Sequence, residues 1–379
     1  MIKSKLPEVS TTIFTIMSKL AAENNAINLA QGFPDFDADP KLINQLNYYA
    51  SNHFNQYAPM FGVEKLRELL AEKYNTLYSC NYDFQDEINI TSGASQAIFN
   101  VISTLIHPND EVIIFEPAYD LYQPTVELFG GKIVPIELKY PDYKIDFNEL
   151  NQKITSKTKL IIVNNPNNPT GRVLTEDDLK SFEKIITNND CYLLADEVYE
   201  HITFDNKKHK SFTQLTTIKD KVFVVGSFGK LFHITGWKIG YILAEKELMI
   251  EFRKCHQFNT FSTHTPSQHA IADYLENPEN YLYLNDFFQH KRDLFINNLS
   301  STKFNILPCE GTYFLNANYS AISNLSDNEF ATLLTKEYKV ATIPVSAFYK
   351  NKIDNHVIRF CFAKKDETLL KAIEYLNKL

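Results

Sequence analysis

Lys230 closes the segment Ser227-Phe228-Gly229-Lys230, directly after the apolar run 222–226, and Thr235-Gly236-Trp237-Lys238-Ile239-Gly240 follows it. An ammonium just beyond a buried strand cannot snorkel to bulk water, so it needs partners or a reason to be neutral. Lysines of that kind form Schiff bases with carbonyls; a surface loop lysine is the plain alternative. A phosphate-binding loop of the form G-x-x-x-x-G-K-[ST] is excluded, because it requires Gly at 224 and Ser or Thr at 231, where the chain has Val224 and Leu231.

Three other segments bear on Lys230. Asn164-Asn165-Pro166-Asn167-Asn168-Pro169-Thr170-Gly171 follows the apolar run 160–163, at the carboxyl end where open α/β sheets bind ligands. It is also a Pro/Asn turn. Asp196-Glu197-Val198-Tyr199 follows the run 191–195 at the corresponding end. Two acids there can bind a metal, cap a helix or balance a buried cation. Thr91-Ser92-Gly93-Ala94-Ser95-Gln96-Ala97 joins a strand to a helix with small residues, where backbone N–H groups and a hydroxyl can hold a phosphate. Farther along, Arg359 stands between Ile358 and Phe360 in a strand-like run. Burying it unpaired is costly, so a carboxylate ligand accounts for it better than a surface role.

The elements that must position these residues alternate in type. Apolar runs at 88–91, 112–115, 160–163, 191–195, 222–225 and 239–243 read as strands buried on both faces, as in a mostly parallel sheet covered by helices. Between them lie helical patterns. Thr175-Glu176-Asp177-Asp178 resembles a capping box ahead of Leu179, Phe182, Ile185 and Ile186, and Ile98, Val101, Ile102 and Leu105 share a face after Gly93. That order predicts an α/β fold. After about residue 285 a helix capped by Ser326 with Glu329, strand-like pieces at 340–345 and 356–362, and a last helix with Leu369, Ile373 and Leu376 predict a smaller α+β unit. The expected division is residues 41–285 as the large domain, with 1–40 and 286–379 forming the small one.

Composition excludes several classes. Thirty-eight Lys+Arg against 46 Asp+Glu give a net charge of −8, which argues against a nucleic-acid groove. An aromatic content of 13% argues against a disordered chain or a coiled coil. Five scattered cysteines without a C-x-x-C point to a reducing compartment. No run approaches the length of a membrane span, and the apolar stretch near the start is interrupted by Lys19. The expectation is a cytoplasmic enzyme with neither a membrane nor a nucleic-acid partner.

Taken in order, five segments carry a resemblance: Asn28-Leu29-Ala30-Gln31-Gly32-Phe33-Pro34-Asp35-Phe36, Asn55-Gln56-Tyr57-Ala58-Pro59, Pro166-Asn167-Asn168-Pro169-Thr170-Gly171, Asp196-Glu197-Val198-Tyr199-Glu200 and Ser227-Phe228-Gly229-Lys230. Over nearly its whole length the chain resembles the fold-type I, pyridoxal-phosphate-dependent aminotransferases of class I, most nearly the methionine and kynurenine (glutamine–phenylpyruvate) branch. The resemblance implies that Lys230 condenses with the cofactor aldehyde and moves the substrate proton. It implies Asp196 beside the pyridine nitrogen, Asn168 and Tyr199 on the phenolic oxygen, and Tyr119 stacked on the ring. Ala94, Ser95, Ser227 and Lys238 would hold the phosphate, with Tyr57 reaching in from the second subunit of a homodimer. Arg359, helped by Gly32, would grip the substrate carboxylate, while Phe14 and Phe261 would line the pocket.

Two positions depart from the family pattern. Lys238 stands where most relatives carry Arg, and Ala94 where Gly is frequent; a compact ammonium suits a phosphate as a point charge, and at 94 a backbone N–H suffices. The segment 258–264 offers Phe258, Phe261 and His264 but no Arg, so the expected donors are methionine and aromatic amino acids, with a 2-oxo acid as acceptor. A carbon–sulfur β-lyase acting on cysteine conjugates is the alternative on the same scaffold.

Overall fold

The computed structural model describes residues 2–299 and 301–379; Met1 and Ser300 lie outside the described residues. A seven-stranded sheet forms the centre, in the order Ile88–Thr91, Gly240–Ala244, Val222–Ser227, Tyr192–Asp196, Thr158–Asn164, Glu111–Glu116, Lys132–Glu137. The last five run parallel to one another, and Gly240–Ala244 is antiparallel to both its neighbours. The six strands expected from apolar runs are all present, with ends that differ by one or two residues. Their burial on both faces follows from the helices packed over them.

Register explains why chemistry gathers at one edge. Asn164 is opposite Asp196, and Asp196 is opposite Val225. Ser227 and Thr91 both pair with Gly240, where the antiparallel strand enters the sheet. The carboxyl ends of four strands, the start of a fifth and the helix Gly93–Leu105 therefore meet at one level.

Local sequence sets the flanking helices. Thr175 and Asp178 form a complete capping box ahead of Glu176–Asn188, whose buried residues are Leu179, Phe182, Ile185 and Ile186. Such a cap contributes about 1 kcal/mol, and each buried side chain roughly 1.5–3 kcal/mol, so packing fixes the helix and capping fixes where it starts. Ser326 and Glu329 do the same for Asp327–Lys336.

A second, antiparallel sheet runs in the order Ile343–Pro344, Val357–Cys361, Phe314–Asn318, Asn305–Ile306. The expected strand at 340–345 is divided: Val340–Ala341 pairs in parallel with Ile27–Asn28, and Ile343–Pro344 joins Val357–Cys361 before a 3₁₀ turn begins at Val345. The change of partner within four residues is why one apolar run serves two sheets. Helix Ile13–Glu23 packs on the same side of the molecule, against Asp327–Lys336.

Candidate active site

A cavity of about 310 Å³ opens where the strand ends meet. Phe14, Gly32, Ala94, Ser95, Tyr119, Asn168, Asp196, Tyr199, Ser227, Lys230, Lys238 and Arg359 all line it. Its charged lining residues are Asp196, Lys230, Lys238 and Arg359: three cations and one carboxylate, on a chain whose net charge is −8. Such a local excess is a device for binding anions.

Lys230 sits on the single turn Phe228–Leu231 that follows Val222–Ser227. Its Nζ donates to the Tyr313 hydroxyl at 2.8 Å and to the Gly32 carbonyl at 3.2 Å. Burial draws its pKa down to about 8, with Lys238 and Arg359 pushing in the same direction and Cys361 and Asp196 opposing. The amine therefore gives up its proton more readily than that of an ordinary lysine.

Asp196 ends the strand Tyr192–Asp196 and is 4% exposed. Its Oδ2 accepts from the Tyr122 hydroxyl at 2.6 Å. Burial raises its pKa to about 6, although the Tyr122 hydrogen bond and the Val198 N–H favour the charged form. Neither Tyr122 nor Tyr313 belongs to the motifs legible in the sequence.

Asn168 is held from behind, its N–H donating to Asn164 Oδ1 at 2.6 Å. Its own Oδ1 accepts from Arg359 Nη1 at 2.6 Å. Arg359 Nη2 donates to the Ala30 carbonyl at 3.1 Å, and Nε is buried without a hydrogen-bond partner. The guanidinium is fully buried, 3.8 Å from the Phe314 ring centre, 4.9 Å from Phe348 and 5.4 Å from Phe14. Its hydrogen-bond partners are neutral, the Asp120 carboxylate acts on it only through space, and burial lowers its pKa to about 10. A buried cation so placed is poised for an external carboxylate.

At the opposite end the helix Gly93–Leu105 starts without a side-chain cap, leaving backbone N–H groups free for an anion. Lys238 stands beside it in a left-handed backbone conformation (φ 55°), its Nζ 3.4 Å from Ser95 Oγ. Gly93 has φ +73°, and a Cβ there would lie 3.3 Å from Lys238 Cε and fill the cradle. Between the two ends lie Tyr119, whose hydroxyl is pushed up to about 12 by burial, and the wholly buried Tyr199.

Two expected residues are not among those lining this cavity. Tyr57 is 83% exposed and Phe261 42% exposed, and their rings meet edge to face at 5.5 Å. His264 also lies elsewhere, its Nδ1 capping the helix Thr265–Leu275 through Ser267.

The comparisons with known proteins agree with this chemistry. A family model described as aminotransferase class I and II matches residues 24–376. The chain is 44% identical to the methionine aminotransferase of Escherichia coli (strain K12), covering 100% of this chain and 98% of that protein. It is 34% identical to the kynurenine–oxoglutarate transaminase of Dictyostelium discoideum, covering 97% and 94% respectively. The solved structure of YbdL from Escherichia coli, reported with a methionine aminotransferase function, superposes with a TM-score of 0.98 at 44% identity, covering 100% of each chain. The chain belongs to the class I and II aminotransferases, fold-type I enzymes that work with pyridoxal 5'-phosphate.

Proposed function

We propose that this aminotransferase exchanges the amino group of an apolar, sulfur-containing or aromatic L-amino acid, methionine foremost, with the oxo group of a 2-oxo acid. The observation that carries the reading is Arg359, a buried guanidinium with neutral partners set among Phe14, Phe314 and Phe348. There it binds an α-carboxylate through parallel N–H···O bonds, with Gly32 beside it. Of these rings Phe14 and Phe314 line the cavity, and they favour an apolar side chain by roughly 1.5–3 kcal/mol. Beyond Lys230, Lys238 and Arg359, no cation among the described lining residues can pair with a side-chain carboxylate, and burying one unpaired is costly. The 44% identity to an enzyme named for methionine supports the same choice.

The cavity suits pyridoxal phosphate. Ala94 through its N–H, with Ser95, Ser227 and Lys238, would hold the phosphate at the uncapped helix start. Tyr119 would lie against the ring, and Asn168 and Tyr199 would bond its phenolic oxygen. When bound, the cofactor supplies an aldehyde carbon for amines and a ring that accepts electrons from the substrate Cα. Asp196 holds the proton on the pyridine nitrogen. Lys230 Nζ, with its lowered pKa, takes and returns the proton at Cα. Arg359 and the phenylalanines orient the substrate and exclude water.

The same reading makes the enzyme a homodimer in which Tyr57 and Phe261 complete the site of a second copy, which accords with their exposure here. It divides the chain into residues 41–285 and a smaller unit of 1–40 with 286–379; the pairing of Ile27–Asn28 with Val340–Ala341 supports joining the two ends. Five free cysteines accord with a cytoplasmic setting, and no helix among the described residues is long and apolar enough to cross a membrane.

Single-turnover amino transfer to the bound cofactor, followed by absorbance with methionine, phenylalanine and aspartate, tests the substrate choice. Methionine and phenylalanine should react faster than aspartate. If aspartate reacts fastest, the pocket holds a carboxylate partner and the reading fails.

A further inference from the structure

We propose that the Tyr313 hydroxyl is the dock for the free amine of Lys230, a positioning residue that sets where the amine waits and how readily it loses its proton. The inference rests on the reading of Lys230 as the lysine that condenses with the cofactor.

The geometry fixes the direction of each hydrogen bond. The Tyr313 hydroxyl donates its one proton to the Gly32 carbonyl at 2.7 Å, so its lone pairs are left to accept from Lys230 Nζ at 2.8 Å. The phenol cannot turn away. Tyr313 is 1% exposed, and its ring is packed by Tyr199 at 5.2 Å, Phe314 at 4.9 Å and Phe288 at 5.7 Å.

The carbonyl it bonds is equally fixed. A Cβ on Gly32 would come within 2.7 Å of the Phe314 ring. Gln31 Nε2 ties the same loop to Ser18 Oγ at 2.6 Å, and Lys364 Nζ donates to the Phe33 carbonyl at 2.7 Å. Tyr313 thus joins the lysine to a loop and a strand that are remote from it in sequence.

A neutral acceptor suits this task better than a carboxylate. The groups facing Lys230 are Asp196 on the central sheet, Tyr199 after it, Lys238, and Arg359 and Cys361 on Val357–Cys361. A carboxylate within hydrogen-bond reach would hold the amine as an ammonium and slow its return to chemistry. A phenol, kept protonated by burial, binds the ammonium well enough to park it and lets the proton go.

The test reads the amine itself. In cofactor-free enzyme, acetylation of Lys230 should be followed against pH by mass spectrometry of its peptide. The wild type should be half-labelled near pH 8. Tyr313→Phe keeps the ring packing but removes the acceptor of a charged donor. Its midpoint should fall by about one pH unit. Tyr313→Met, with no hydroxyl, should fall likewise and serves if the phenylalanine variant does not fold. An unchanged or raised midpoint overturns the inference, and so does failure of both variants to fold, which would make Tyr313 a core residue only. Borohydride treatment of the loaded wild type separates the two levels: cofactor fixed on a lysine other than Lys230 sinks the underlying assignment instead.

Discussion

A buried carboxylate with its pKa raised to about 6 is a poor resident and a good host. Asp196 gains a hydrogen bond from Tyr122, yet loss of water outweighs it. The sign of the consequence is fixed by linkage. The folded chain without cofactor binds the proton more tightly than the unfolded chain, whose aspartate titrates near 4, so stability falls as pH rises from about 4 to about 6 and the loss is complete by pH 7. Asp196→Asn removes that loss, and its amide oxygen can still accept from Tyr122. The cofactor-free variant should therefore melt at or above the wild-type temperature at pH 7. Its activity should nevertheless drop on the order of 10²–10³, because Asn cannot balance a pyridinium. A variant that melts lower, or whose kcat/KM lies within a few-fold of wild type, would reduce Asp196 to a structural role. Asp196 and Arg359 were legible because each ends or interrupts an apolar run, Lys230 because it sits in the loop just beyond one, and Asn168 only through the family resemblance of the segment that follows another. Tyr122 and Tyr313 were not: they lie 74 and 83 residues from the groups they serve, and nothing local separates them from the other aromatics of a chain with 21 Tyr and 28 Phe.

At the scale of elements, the anion end of the cavity depends on how closely a helix approaches a strand. A Cβ on Gly240 would meet the Ala94 nitrogen at 2.6 Å, the Gly93 carbonyl carbon at 2.7 Å and the Gly226 oxygen at 2.9 Å. All three are backbone atoms, so no side chain can swing aside. Gly240→Ala should push the start of Gly93–Leu105 off the sheet, cost about 1–3 kcal/mol of stability and weaken binding of pyridoxal phosphate. Gly236, four residues earlier, has nothing within 4 Å of its would-be Cβ, so Gly236→Ala should stay within about 0.5 kcal/mol of wild type. Denaturant melts and cofactor titration of both variants check the contrast, and equal effects would refute it. The strands bordering this helix were legible as short, mainly apolar runs. The strand Lys132–Glu137 was not, because Pro135 interrupts it; the sheet tolerates that proline because the strand lies at its edge. Phe314–Asn318 hides for another reason: its two asparagines break the apolar run although all five residues are buried.

For the molecule as a whole, the proposed dimer turns on a cluster of exposed aromatic side chains. Tyr57 and Phe258, 83% and 86% exposed, and Phe261, 42% exposed, are large aromatic side chains left facing water. A groove running past Tyr57 is lined by His53, Phe54, Ala58, Pro59 and His269 among others. Exposed apolar surface of this kind is characteristic of places where proteins contact other molecules. If that molecule is a second copy related by a two-fold axis, each Tyr57 serves the other chain's Lys230. The arrangement makes a quantitative prediction. Chains carrying Lys230→Ala have no working site of their own but still offer Tyr57, and chains carrying Tyr57→Phe keep Lys230 but offer no phenol. When the two are unfolded, mixed in equal amounts and refolded with cofactor, half of the dimers are mixed, and each mixed dimer holds one complete site. About a quarter of all sites should then regain wild-type character, so activity should exceed the mean of the two stocks refolded separately. Were Tyr57 to serve its own chain, every chain would still lack one of the two groups and mixing would change nothing. Activity equal to that mean, or a monomer by sedimentation at assay concentration, would therefore refute the shared site.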